Sequence, residues 1–217
     1  MENFASSFGE GLRVFRTKHP APTPLRFALF FLGLLLAFGA PAREPTARAG
    51  SGLVNLEGRP WDVLSSSAPG TKLVAFIFAL TDCPISNAYA PEVRALHADF
   101  AARGVEFWLV FGTHESPEVI RKHLADFRYP CDALRDPHHA FAKRSRVRVT
   151  PEAAVYRKEG GELLFHGRID DHYAELNVRR RAPTVRDLHA ALEDLLAGKT
   201  AKPPAGPAVG CIIEGGE

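Results

Sequence analysis

The sequence predicts an α/β fold, with a central mixed β-sheet flanked by helices on both faces. Two runs, 72–80 and 105–111, are almost continuously apolar and rich in β-branched and aromatic residues, which is typical of strands buried on both faces. The first run is followed by apolar residues at helical spacing and the second by a Ser-Pro helix start, and a hairpin turn and an amphipathic helix come last. Strands that alternate with helices in this way predict helices on both faces of one sheet.

The composition fits one globular domain of ordinary size with terminal extensions. The chain has 217 residues, of which 46% are hydrophobic and 24% charged. Its net charge of +2 gives no general argument for binding nucleic acid, so no such partner is predicted. Its 3 cysteines are too few for a disulfide scaffold, and the odd number leaves at least one thiol free or intermolecular.

Residues 1–43 are predicted to be a signal peptide or a membrane anchor. Basic residues precede the wholly apolar run 27–40, which is shorter than the roughly 20 residues of a comfortable membrane-spanning helix and typical of a signal-peptide core. Small residues at 39–42 form an imperfect cleavage site, so cleavage and retention both remain open. The predicted location is extracytoplasmic (periplasmic), with anchoring in the inner membrane by residues 27–40 if they are retained. Residues 44–51 are a predicted linker.

The first half of the predicted domain, 52–198, begins with a small hairpin. Residues 53–63 alternate around Glu57-Gly58, as in a hairpin. After the strand 72–80, residues 84–103 carry one helical apolar stripe that Gly104 closes. After the strand 105–111, Ser116-Pro117 begins a helix by serving as its N-cap and first helical residue.

The second half is predicted from turn signals and caps. Residues 131–134 form a short edge strand, and a brief helical turn follows at 136–145. The predicted hairpin joins strands 152–157 and 163–168 through Glu159-Gly-Gly161. The last helix begins at Thr184 with a capping-box pattern and ends at Gly198. Residues 199–217, which contain Cys211, are predicted to be a flexible tail.

Cys83 is the leading candidate for a reactive residue. It follows the strand 72–80 directly and precedes Pro84, which suits the first turn of a helix. A cysteine at a helix N-terminus lies among unpaired backbone N–H groups, which stabilise the thiolate and lower the pKa. The sequence therefore predicts an ionised, solvent-accessible nucleophile, and a plain buried cysteine is the alternative.

The chain resembles the thioredoxin-fold redoxins over about residues 52–198. Cys83-Pro84-Ile85-Ser86 lies at the position of the Cys-x-x-Cys motif, with Ser86 in place of the second cysteine. Pro91 matches the proline of the first helix, and Val149-Thr150-Pro151 looks like the cis-proline loop beside the reactive cysteine. The resemblance is closest to peroxiredoxin-like proteins and membrane-anchored thiol–disulfide oxidoreductases. It implies a thioredoxin-like fold and places Thr81, Pro84, Thr150 and Pro151 at the substrate groove.

A second thiol is needed to complete the reaction of Cys83. Ser86 lies one turn further on and is predicted to donate a hydrogen bond to the Cys83 sulfur, or to be an ordinary first-turn serine. Cys211 lies in the apolar segment Val209-Gly-Cys-Ile-Ile213, and we hypothesise that it folds back to resolve Cys83, within the chain or between chains. The alternatives are a chance cysteine in the tail and resolution by Cys131, for which structural burial is the favoured interpretation.

The resemblance leaves the substrate open. Typical peroxiredoxins have proline and threonine where this chain has Phe76 and Leu80, and Sco-type copper chaperones have a second cysteine where it has Asn87. The predicted function is a thiol-dependent oxidoreductase acting on protein disulfides, with hydroperoxides as the second candidate substrate and an unidentified thiol as electron donor. A non-catalytic binding module and a copper-handling protein are the alternatives.

No cofactor or metal site is predicted. The densest polar cluster is Asp170-Asp171-His172, at the end of a predicted strand. Paired carboxylates and an imidazole can bind a metal or transfer protons, although such a cluster is more often a solvated exit from a strand.

Overall fold

A computed structural model of the chain describes residues 51–112 and 115–213. The described residues all lie within one compact unit, Ala47–Glu217. The predicted signal peptide or anchor, 1–43, and almost all of the predicted linker lie outside the described residues. Across the two described ranges, every helix falls short of the length and apolar character that a membrane span requires.

The central sheet has five strands in the spatial order β3-β2-β1-β5-β6. Strands β1, β2 and β3 are parallel, whereas β5 is antiparallel to both of its neighbours. The sheet is therefore mixed, as predicted. Two further pairs of short strands, β4 with β9 and β7 with β8, lie outside it. The strands are β1 (Leu73–Ala79), β2 (Val105–Phe111), β3 (Ala133–Arg135), β4 (Val149–Thr150), β5 (Glu152–Arg157), β6 (Leu163–Gly167), β7 (Tyr173–Glu175), β8 (Val178–Arg179) and β9 (Cys211–Ile212).

Strand β1 is the centre of the fold, and all seven of its residues are buried. Because successive side chains of a strand point to opposite faces, Leu73, Ala75 and Ile77 join one hydrophobic cluster while Val74 and Phe76 join another. The first cluster takes its helical residues from α2, α3, α4 and α6, and the second from α1 and α5. The helices are α1 (Val63–Ser66), α2 (Pro84–Ala88), α3 (Ala90–Phe100), α4 (Pro117–Asp126), α5 (Ala140–Ser145) and α6 (Asp187–Leu196).

The helix predicted over 84–103 is interrupted at Tyr89. Tyr89 ends the five-residue helix α2 and is also the N-cap of α3. Pro91 lies in the first turn of α3, where a proline needs no hydrogen-bond acceptor for the amide it lacks. Helix α2 is consequently too short to carry a large macrodipole, so individual amide groups matter more at Cys83 than the helix as a whole.

The last helix begins three residues later than predicted. The backbone N–H groups of Thr184 and Val185 both donate to the carboxylate of Asp171, at 2.6 and 2.9 Å. These bonds commit both residues to the preceding loop, and the helical hydrogen bonds begin with Asp187. The small ribbon of β7 and β8 between the sheet and this helix is absent from the sequence predictions, because strands of two and three residues leave little periodicity to detect.

Candidate active site

Cys83 lies in the turn between β1 and α2. It is the N-cap of α2, and its Sγ accepts a hydrogen bond from the backbone N–H of Ser86 at 3.5 Å. Pro84 occupies the first helical position and is exposed. The sequence predicts that the Ser86 hydroxyl donates to Cys83, but among the described residues its buried Oγ has no hydrogen-bond partner. The amide, not the hydroxyl, is the donor to the sulfur.

Cys83 and Cys211 form a disulfide bond. Their Cα atoms lie 6.3 Å apart although 128 positions separate them in the sequence. This separation lies within the range that a disulfide can bridge without movement of the backbone. Cys131 is a free thiol whose pKa is raised to about 12 by burial and by the neighbouring charge of Asp132. The structure therefore pairs Cys83 with Cys211 within one chain and leaves Cys131 apart.

The Thr150–Pro151 loop lies directly against this disulfide. The peptide bond between the two residues is cis, as predicted, and the carbonyl oxygen of Thr150 lies 3.5 Å from Cys83 Sγ. The loop is held by the carboxylate of Glu152, which accepts hydrogen bonds from the amides of Arg148 and Val149 at 2.9 and 3.3 Å. A buried carboxylate thus fixes the backbone that faces the sulfur.

The segment that carries Cys211 is added as a strand to the edge of this loop. In the antiparallel pairing of β4 with β9, Cys211 is opposite Thr150 and Ile212 is opposite Val149. The N–H of Ile213 then donates to the carbonyl of Arg148 at 3.0 Å. The sequence predicts a flexible tail here. In the structure, this part of the tail forms backbone hydrogen bonds with the domain.

Two further contacts hold the tail upstream of Cys211. The ring of Pro204 packs on Gly167, where an added Cβ would meet the ring at 2.5 Å. The N–H of Ala205 donates to Asp187 Oδ1 at 2.8 Å, while the other oxygen of that carboxylate accepts from Arg168 Nε at 2.6 Å. Both side chains of this ion pair are largely buried. These contacts therefore fix the tail to the domain a few residues before Cys211.

The predicted solvent exposure of Cys83 is wrong for this disulfide state. The residue is 1% exposed. The physical reason is that its sulfur is bonded to Cys211 and faces the buried residue Thr150, while Val209 and Cys211 pack against the same hydrophobic cluster. The sulfur does face the Pro151 loop, as predicted, and not the opposite side of the fold.

A cavity of about 520 Å³ lies beside the disulfide, at the carboxyl ends of the parallel strands β1, β2 and β3. Thr81 and Thr150, both predicted to bind substrate, line it, and so do Ile212 and Ile213 of the tail. The N–H of Thr81 donates to Glu115 Oε1 at 2.7 Å, so the backbone of Thr81 is held in place. Crevices at this edge of an α/β sheet are common ligand sites.

The Asp170-Asp171-His172 cluster has a structural role in this fold. Asp170 Oδ1 accepts hydrogen bonds from the Tyr89 hydroxyl at 2.6 Å and from the His172 amide at 2.8 Å. Burial raises the pKa of Asp171, but hydrogen bonds from Thr184 and Val185 outweigh that effect and lower it to about 2. No group of three metal-ligating side chains is found among the residues that the structure describes. The acidic groups are occupied in holding loops together.

Sequence reasoning missed two residues that build the site. Asp187 and Glu152 position the tail and the loop. The Asp187 contact joins distant residues and Glu152 binds an irregular loop, so no local pattern signals either of them. The sequence does identify Gly210, because the small residue beside the cysteine in Val209-Gly-Cys-Ile-Ile213 predicts a sulfur that can be closely approached.

Comparison with known proteins gives a family match and structural similarities. Residues 48–160 match the AhpC/TSA family. No curated protein matches the chain significantly. An uncharacterised conserved protein from Geobacillus kaustophilus is 23% identical, with a TM-score of 0.61 over 74% of this chain and 86% of that one. A hypothetical protein from Sinorhizobium meliloti 1021 is 21% identical, with a TM-score of 0.62 over 75% of this chain and 88% of that one.

Proposed function

This chain belongs to the AhpC/TSA family, and we propose that it is a thiol–disulfide oxidoreductase in which Cys83 is the nucleophile and Cys211 the resolving thiol. The observation that supports this proposal is the disulfide between Cys83 and Cys211, formed beside the cis-Pro151 loop. This pairing supplies Cys83 with the second thiol that the Cys-x-x-Ser sequence lacks.

In the proposed cycle, the Cys83 thiolate attacks one sulfur of a substrate disulfide. A mixed disulfide forms, and the other substrate sulfur leaves as a thiolate and takes a proton from solvent. The Cys211 thiolate then attacks the Cys83 sulfur, which releases the substrate dithiol and forms the Cys83–Cys211 bond. The substrate is reduced by two electrons and the protein is oxidised by two. An external dithiol, the unidentified electron donor, returns the protein to its reduced form.

Local groups support an ionised Cys83 in the reduced protein. The Ser86 N–H donates toward the sulfur, and a hydrogen bond to the charged form of a group favours that form. The remote position of Cys211 explains how a Cys-x-x-Ser sequence can complete the reaction. The resolving thiol comes from the tail, so the helix does not have to supply it.

Protein disulfides are the preferred substrate class over hydroperoxides. The positions that carry proline and threonine in typical peroxiredoxins are Phe76 and Leu80 in this chain. Phe76 is 1% exposed within the second cluster and Leu80 packs against the first. Neither side chain offers a hydroxyl to a bound peroxide.

The decisive experiment uses the full chain and a model protein disulfide, such as insulin, with dithiothreitol as the electron donor. Cys83→Ser is expected to reduce the rate to that without protein. Pre-reduced Cys211→Ser, mixed with insulin after removal of dithiothreitol, is expected to accumulate a mixed disulfide detectable by non-reducing mass spectrometry. Cys131→Ser is the matched control and should retain the wild-type rate. Full activity in Cys83→Ser would contradict Cys83 as the nucleophile. A wild-type rate no higher than that without protein, or a Cys83 alkylation rate equal to that of a free model thiol, would favour a non-catalytic binding module. Copper binding that depends on Cys83 would favour the copper-handling alternative.

We also propose that the protein works outside the cytoplasm, where disulfides persist. The apolar run 27–40 behind a basic N-terminal segment supports this proposal. N-terminal sequencing of the protein recovered from the cell envelope would test it. A mature N-terminus near residue 43 indicates cleavage, an intact one in the membrane fraction indicates an anchor, and an intact one in the cytosol would contradict export.

A further inference from the structure

We infer that the edge of strand β4 is a peptide-binding site that selects the pattern Gly-Cys-X-aliphatic in its protein substrates. The tail residues Gly210–Ile213 occupy this site in the oxidised protein, and their contacts show which side chains the site accepts at each position. This inference rests on the proposed function, because it identifies the segment of substrate that Cys83 would attack.

The backbone of β4 supplies the affinity that does not depend on sequence. Cys211 and Ile212 pair with Thr150 and Val149, and Ile213 N–H donates to the Arg148 carbonyl at 3.0 Å. An extended peptide that adds to this edge in the same register forms the same main-chain bonds. That register places its cysteine opposite Thr150, whose carbonyl lies 3.5 Å from Cys83 Sγ. The pairing therefore aligns the two sulfurs.

The position before the cysteine admits only glycine. A Cβ built on Gly210 would overlap the carbonyl oxygen of Thr150 and lie 2.6 Å from its carbonyl carbon. Those atoms belong to a backbone that is held by the Glu152 carboxylate and by pairing with β9. Moving them would break these hydrogen bonds. Any larger residue at this position must shift the strand away from Cys83.

The two positions after the cysteine differ in their requirements. Ile212 is 77% exposed, so the site places little restriction on the side chain at that position. Ile213 is 7% exposed and belongs to the second hydrophobic cluster, together with Phe78, Ala142 and Val147. An aliphatic residue is favoured there because a charged one would lose its hydration without gaining a partner.

The tail and a substrate strand compete for the same edge. In the reduced protein the tail is released from covalent attachment, and the Cys83 thiolate can attack the disulfide of a bound Gly-Cys-X-aliphatic segment. The second substrate cysteine leaves as a thiolate and is protonated by solvent. The substrate strand must then vacate β4 as Cys211 returns to attack the Cys83 sulfur, so docking of the tail and release of the product occur together.

The test measures attack by peptides on a labelled Cys83. In the full-length Cys131→Ser/Gly210→Ala/Cys211→Ser variant, 5,5′-dithiobis(2-nitrobenzoate) converts Cys83 to its mixed disulfide with 2-nitro-5-thiobenzoate. The release of 2-nitro-5-thiobenzoate by cysteine peptides is followed by absorbance. The peptides are Ala-Val-Gly-Cys-Ile-Ile, the same with alanine in place of glycine, and the same with aspartate in place of the first or the second isoleucine. Each rate is divided by that of the same peptide with a small-molecule disulfide, which removes differences in thiol reactivity.

The parent peptide and the peptide with aspartate at the first isoleucine are expected to react alike. Both should react about tenfold or more faster than the other two peptides. The alanine peptide is slowed by the clash of its Cβ with the Thr150 carbonyl, and the peptide with aspartate at the second isoleucine is slowed by loss of one buried aliphatic contact. Residual docking of the tail slows all four equally and leaves these ratios unchanged. Four equal ratios would overturn the inference while leaving Cys83 as the nucleophile, whereas failure to load Cys83 at all would overturn the proposed function as well.

Discussion

The sulfur of Cys83 lies 3.5 Å from the carbonyl oxygen of Thr150, a residue 67 positions later in the chain. This oxygen carries partial negative charge and opposes a thiolate at Cys83, whereas the Ser86 amide on the other element favours one. Two backbone groups of opposite effect therefore contact the Cys83 sulfur. One of them belongs to the loop that pairs with β9, so the same loop contacts both the sulfur and the tail.

Removing the disulfide should destabilise the oxidised protein. Cys211→Ala is expected to lower the free energy of unfolding under oxidising conditions by about 3–5 kcal/mol, because the bond closes a loop with a sequence separation of 128. Urea denaturation of the two proteins measures the difference. In excess dithiothreitol the difference should shrink to that of a small side-chain change, and a gap that persists there would contradict an effect of the disulfide.

The Asp187 carboxylate should control how readily Cys211 reaches Cys83. Asp187→Ala removes the acceptor for the Ala205 amide and the partner of Arg168. We expect the equilibrium constant for forming the Cys83–Cys211 bond against glutathione to fall about tenfold, since hydrogen bonds to charged groups contribute roughly 1.5–3 kcal/mol. Asp187→Asn is the matched control, because its side-chain oxygen can still accept from Ala205, and its constant should fall less. Equal constants in all three proteins would contradict guidance of the tail by Asp187.

The Tyr89 hydroxyl should contribute to the stability of the fold. It donates to the buried carboxylate of Asp170 at 2.6 Å, and burial together with this bond raises the Tyr89 pKa well above its usual value. Tyr89→Phe is expected to reduce the free energy of unfolding by about 1–3 kcal/mol, because it leaves a buried carboxylate with one donor fewer. Tyr173→Phe, on the adjacent and less buried ring, is the comparison and should cost less. Equal losses of unfolding free energy in the two variants would contradict a stabilising role of the Tyr89 hydroxyl.

His123 should make the protein less stable in mild acid. Burial lowers its pKa, and its ring packs between Phe111, Phe127 and Tyr129. A depressed pKa in the folded state contributes stability that is complete above the unfolded pKa of about 6.5 and is lost as the pH falls from there through the folded pKa. The nearby charge of Asp126 opposes the shift without cancelling it.

The measurement is the free energy of unfolding at pH 7.5 and pH 5. The wild type should lose stability over this interval, and His123→Phe should lose measurably less of it. His138→Gln replaces an exposed imidazole and serves as the control, with the wild-type dependence on pH expected. If His123→Phe loses as much stability between pH 7.5 and pH 5 as the wild type does, His123 is not the cause of that loss.

The central sheet could be predicted because its strands carry their signal locally. The continuous apolar run of β1 and the turn at Glu159-Gly-Gly161 determine their own structures, and family membership and the mixed sheet confirm the thioredoxin-like fold. The helix predicted over 84–103 is divided at Tyr89, and the sequence does not show the break because the apolar stripe continues through it. Periodicity reports the buried face of a segment and is insensitive to a break that preserves that face.

The reactive site could be predicted only in part. Cys83 and the cis-Pro151 loop follow from short motifs, and the pairing with Cys211 was one of several alternatives. The contacts that select Cys211 join Pro204 to Gly167, Ala205 to Asp187 and Gly210 to Thr150. Each joins residues that are far apart in the chain, and no local pattern encodes which of them meet.

The burial of Cys83 has a consequence for the kinetics of reactivation. Cys83 is 1% exposed, whereas Cys211 is only partly buried, so an external thiolate reaches the Cys211 sulfur and not the Cys83 sulfur. Attack at Cys211 releases Cys83 as the departing thiolate and leaves the mixed disulfide on the tail. Reactivation should therefore proceed without prior detachment of residues 209–213, and its rate should rise in proportion to the concentration of the reductant.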